Sequence, residues 1–106
     1  MIDAAAYILP GIVPTLESEL VFLCDRLGVT MDWITRRTNK REVVDVRKLI
    51  AYILMSKGFA SVDIARKLNV DHATVLYYNK KVQERMDIYR YYREQVMELM
   101  ETKKVK

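Results

Sequence analysis

The sequence predicts an all-α domain, on three observations. Ala, Leu, Met, Lys, Arg and Glu, all good helix formers, are plentiful. Two prolines and three glycines leave room for few turns. Apolar residues recur at helical spacing in one segment after another. At 106 residues the chain makes one domain with a core that needs no disulfide or metal staple. The single cysteine, Cys24, excludes an internal disulfide and fits a reducing cytoplasm. No apolar run approaches the roughly 20 residues that span a bilayer.

The first segment, "MIDAAAYILPGIVP" (1–14), lacks a positive start and carries Asp3, so it reads as an arm that packs on the domain or a partner, and not as a signal peptide. The domain proper is expected over 15–100. In "TLESELVFLCDRLGV" (15–29), Leu16, Leu20, Leu23 and Leu27 form one stripe, Thr15 caps the start and Gly28 ends the helix. Cys24 lies beside the stripe and is expected in the core. "TMDWI" (30–34) is a short helix capped by Thr30, with Trp33 packed.

"TRRTNKRE" (35–42) is a polar, basic loop, in which Asn39 and Glu42 have the spacing of a capping box. The helix it opens runs to about Met55. Val43, Val46, Ile50 and Leu54 line one face, Leu49 and Ile53 widen it, and Lys57 and Gly58 end it. "SVDIARKL" (61–68) turns Ile64, Ala65 and Leu68 inward, and Asn69 supplies the left-handed residue of a tight turn. Asp71 is placed to cap the helix 72–85, its carboxylate accepting from the N–H of Ala73 or Thr74, with Val75, Tyr78 and Val82 buried. A last helix over 87–100 is expected to carry Ile88, Tyr91, Tyr92, Gln95 and Leu99 on one side. "ETKKVK" (101–106) is a basic tail.

Charge is unevenly spread. Residues 1–35 hold one basic and five acidic residues, and 36–81 hold eleven basic and four acidic, so the positive charge sits in the middle of the chain. That distribution suits a surface facing a polyanion. A metal site is not expected, because zinc wants about four clustered His, Cys or carboxylate ligands and the chain has one histidine and one distant cysteine. Catalysis is not expected either: His72 is the one neutral-pH base, and only Asp71 stands by to orient it. Neither nucleotide-binding glycine motif occurs, and no cofactor is implied.

A short helix, a three-residue turn and a longer helix make a helix-turn-helix, whose second helix reads the major groove with its first turn. His72 can donate to or accept from a base edge, Ala73 can touch a thymine methyl, and Thr74 can do either. Asp71 can accept from a cytosine amino group where the cap does not claim its carboxylate. Arg66, Lys67, Lys80 and Lys81 are candidates for phosphate contacts, and Arg36, Arg37, Lys40 and Arg41 for the backbone or the adjacent minor groove.

"NKREVVDVRKLIAYIL" followed by "IARKLNVDHATVLYYNKKV" resembles the C-terminal DNA-binding domain of the bacterial replication initiator DnaA, with its Lys-Arg-Glu and arginine helix and its Asp-His-x-Thr-Val element. The resemblance covers about residues 14–85. It implies a Trp-repressor-like helical bundle that binds double-stranded DNA at short, origin-type sites, with base readout on Asp71, His72 and Thr74 and a DNA-backbone contact from Arg47. The chain departs from the family pattern at Ala73 (Thr or Ser), Val70 (Arg) and Asn39, where the family has a minor-groove arginine. Since no ATPase precedes it, the chain is expected to act as a stand-alone DNA-binding protein, a regulator or a phage or mobile-element protein, with an excised domain as the alternative. The rival expectation is a protein-interaction or homo-oligomerisation module, because Tyr77, Tyr78, Tyr89, Tyr91 and Tyr92 exceed what one small helix pair needs to bury.

Overall fold

The structure, a computed structural model, describes residues 15–100; the arm 1–14 and the tail 101–106 lie outside the described residues. Six helices follow one another among the described residues: α1 Leu16–Leu27, α2 Met31–Ile34, α3 Arg41–Ser56, α4 Ser61–Leu68, α5 His72–Ile88 and α6 Arg90–Met100. No strand occurs among the described residues, so the predicted all-α bundle is the observed one. None of these helices is long and apolar enough to cross a membrane.

Local chemistry sets most boundaries. Thr15 caps α1 by accepting from the Ser18 N–H, and Ser18 returns the bond to the Thr15 N–H, a reciprocal box. Gly28, left-handed at φ 73°, closes α1. Thr30 caps α2 by accepting from Trp33 at 3.1 Å. Asn69, at φ 63° and ψ 43°, ends α4 in the left-handed region that asparagine tolerates better than most residues.

α3 is the central helix and packs on all the others. Its buried residues Ile50, Ala51, Ile53 and Leu54 meet Leu20, Leu23 and Cys24 of α1, Ile34 of α2, Ile64, Ala65 and Leu68 of α4, and Val75 and Tyr78 of α5 in one continuous core. Cys24 is buried as expected, and its thiol donates to the Met31 sulfur at 3.9 Å. Burial, with Asp25 adding to it, pushes that thiol above its ordinary pKa. A smaller cluster of Val82, Met86 and Val96 joins α6 to the second half of α5.

Three local expectations are corrected. The Asn39–Glu42 capping box does not form: α3 starts at Arg41, with Lys40 at its N-cap and no side-chain cap bond. The Thr38 hydroxyl accepts from the Lys40 N–H instead and sets how the chain enters the helix. Asp71 has the N-cap position and backbone angles, but its carboxylate does not cap; its carbonyl accepts from Thr74 and Val75. In the last helix the expected stripe is rotated: Val96 is buried and Tyr92 and Leu99 half-buried, whereas Ile88 and Tyr91 are 70% and 61% exposed. The reason is that α5 runs on to Ile88, and the break at Tyr89 gives α6 a new axis.

Candidate nucleic-acid interface

α4 and α5 enclose the turn Asn69–Asp71. α4 has only eight residues, too short to be stable alone, and is held by three fully or nearly fully buried side chains, Ile64, Ala65 and Leu68. α5 is anchored in the same core by Val75 and Tyr78, one and two turns into the helix. The first turn of α5 is therefore fixed from behind and open in front. Asp71, His72 and Ala73 are exposed, and Thr74 is half-buried. Because the Asp71 carboxylate makes no hydrogen bond among the described residues, it is available to an outside donor.

The basic loop adjoins this turn. The Asn69 side-chain amide donates to the Thr35 carbonyl at 3.3 Å, which ties the turn before α5 to the residue that leads into the loop. Arg36, Arg37, Asn39, Lys40 and Arg41 are all exposed. The structure thus brings the loop and the first turn of α5 into one neighbourhood, although more than 30 residues separate them in the sequence.

Arg47 lies elsewhere than the resemblance implies. It is 4% exposed, a buried charged residue. Its Nε donates to the Ile34 carbonyl at 2.6 Å, its Nη1 to the Thr38 carbonyl at 3.1 Å, and its Nη2 to the Arg36 carbonyl. Three of its five N–H donors are thus spent on carbonyls inside the fold, at the position where the resemblance implies a DNA-backbone contact. Sequence spacing gives no sign of this, because an arginine on a helix carries no record of which distant carbonyls it will meet.

The flanking cations are at the surface, several in weak ion pairs: Arg66 with Asp63 at 3.1 Å, Lys67 with Glu17 at 3.3 Å and Lys81 with Glu84 at 3.4 Å. Such exposed pairs contribute about 0–1 kcal/mol, so a phosphate can replace the carboxylate at little cost. Lys80 is exposed and has no ion pair among the described residues. Lys48, not singled out by the sequence, lines an open groove of about 540 Å³ between α3, α5 and α6 together with Lys81 and Arg85. Tyr89 and Tyr91 stand on the groove wall, edge to face at 6.2 Å. Tyr92 lies under the Arg85 guanidinium at 4.6 Å; burial raises its phenol above the ordinary pKa, Arg85 opposes the shift and Asp45 adds to it. Tyr77 is exposed beside Lys81, while Tyr78 is buried as the stripe predicts. Among the described residues no three His, Cys, Asp or Glu side chains cluster as metal ligands would.

No family model matches the chain. It is 27% identical, over 92% of its length, to the chromosomal replication initiator protein DnaA of Bacteroides thetaiotaomicron, and it spans 23% of that protein's length. The chain is thus similar to a limited part of a bacterial replication initiator.

Proposed function

We propose that this protein is a binding module, not an enzyme, that holds double-stranded DNA with sequence preference through a helix-turn-helix and serves replication initiation or its regulation in the cytoplasm. One observation carries the reading: Asp71, His72 and Ala73 stand exposed at the start of a core-anchored helix, and a hydrogen bond joins the turn before them to a loop with four exposed cations. The similarity to an initiator and the net charge of +4 support it. In this reading His72, Ala73, Thr74 and the uncommitted Asp71 carboxylate meet base edges. Arg36, Arg37, Lys40, Arg41, Arg66, Lys67, Lys80 and Lys81 meet phosphates or the minor groove, with Asn39 among them.

The test is a fluorescence titration of labelled duplexes at several salt concentrations, after selection of bound sequences from a random pool. Each neutralised phosphate contributes about −0.9 to the slope of log affinity against log salt, so a slope of about −4 to −6 is expected. Binding that ignores salt, or selection that enriches no motif, would sink the proposal.

A second reading, self-association or a protein partner, is favoured by the apolar edge of the groove, where Ile88, Tyr89 and Tyr91 are large and exposed. Tyrosine is a favoured residue at interfaces. If this edge pairs with a second copy, the sedimentation coefficient rises over about 10–500 µM and an Ile88→Ser/Tyr91→Ser variant stays monomeric, as fits a small, weak interface. A wild-type protein that is monomeric throughout that range rules out pairing here.

A further inference from the structure

We infer that Arg47 is a positioning residue for DNA binding: from inside the fold it holds the basic loop in the shape that presents Arg36, Arg37, Lys40 and Arg41 beside the start of α5. The inference rests on the duplex-binding reading above.

The other bonds that hold this segment lie at Thr35, with Met31 and Asn69, and between Thr38 and Lys40. Arg36, Arg37, Asn39 and Lys40 are exposed, so no buried side chain at these positions anchors it. Four cations within six residues, 36–41, repel one another and favour an open, spread chain. Arg47 counters this although it is itself a cation. Its three hydrogen bonds go to the carbonyls of Ile34, Arg36 and Thr38, every second residue along the segment. No carboxylate pairs with it among the described residues. Burying an unpaired guanidinium is costly unless its donors find acceptors, and here three of its five N–H groups find them in the backbone of residues 34–38. The fork and the loop shape therefore require each other. A loop already shaped in the free protein loses less freedom on binding, which favours affinity. The Asn69–Thr35 bond carries this order on to the turn before α5.

Lysine separates this role from a direct phosphate contact. A lysine serves a phosphate as a point charge, but its single nitrogen cannot replace a planar fork across three carbonyls spread over five residues. The experiment compares wild type, Arg47→Lys, Arg47→Met and Arg36→Ala/Arg37→Ala, each verified as helical by circular dichroism at low temperature. Without DNA, tryptic cleavage after Arg36, Arg37, Lys40 or Arg41 is expected to speed up about tenfold in both Arg47 variants, since local opening exposes the loop. With the selected duplex, both variants should lose about two from the magnitude of the salt slope, as the loop double variant does. Adding Arg47→Lys to that double variant should cost less affinity than it does in the wild type, because part of its effect runs through the same contacts.

Full binding by Arg47→Lys, or losses that simply add, overturns the positioning role in favour of direct contact. Unchanged cleavage in Arg47→Lys overturns it without reference to DNA. Wild-type protein that does not bind duplex at all instead removes the functional reading, and the cleavage assay still decides whether Arg47 shapes the loop.

Discussion

A His72→Ala/Thr74→Ala protein is expected to lose about 2–6 kcal/mol of discrimination between its selected duplex and a scrambled one, at about 1–3 kcal/mol per base contact. The expectation follows from where the two side chains sit. His72 is exposed and Thr74 half-buried in the first turn of α5, and neither side chain makes a hydrogen bond within the described protein. Removing them leaves no orphaned partner inside the fold. Alanine suits a helix at least as well as histidine or threonine, so thermal stability should stay within about 0.5 kcal/mol of wild type. The salt slope should also hold, because these residues touch no phosphate in the proposed mode. Competition titrations with selected and scrambled duplexes check all three points. Equal discrimination in the variant and the wild type would show that the first turn of α5 does not read bases.

The second large effect concerns stability. Ile64→Ala should cost about 3 kcal/mol, within the usual 2–5 kcal/mol for truncating a buried aliphatic side chain, and lower the melting temperature by roughly 12–24 °C. Ile64 is fully buried, and α4 has only eight residues and three buried side chains to hold it. A helix that short has little stability of its own, so loosening it also loosens the support behind the first turn of α5. Val62→Ala on the same helix is the control: Val62 is 48% exposed, and its truncation should move stability by no more than about 0.5 kcal/mol. Thermal melts followed by circular dichroism distinguish the two. Similar melting temperatures for both variants would mean that α4 does not depend on its buried face.

The caps show why parts of this fold are legible in sequence. Thr15, Gly28, Thr30 and Asn69 act on backbone groups within a few residues of themselves, so type and spacing identify them. The inward faces of α4 and α5 are legible for a similar reason: Ile64, Ala65, Leu68, Val75, Tyr78 and Val82 follow the helical period, and all are buried. Asp71 marks the limit of this reasoning. Its position is that of a cap, but whether a carboxylate turns back to the helix or outward depends on a rotamer that spacing does not specify. α6 marks another limit, because the expected face over 87–100 assumed an axis that the break at Tyr89 changes.

The sequence by itself determined the helical class, most helix ends, the buried stripes of α4 and α5, and the exposed Asp-His start of α5, because each depends on residues near one another in the chain. Only the tertiary structure decided that the basic loop lies beside that start, that the Asp71 carboxylate is free, and that Arg47 is buried. Its guanidinium selects carbonyls nine to thirteen residues back, and Asn69 reaches a carbonyl 34 residues away. Partners at such separations are set by how the helices pack, which no local pattern records.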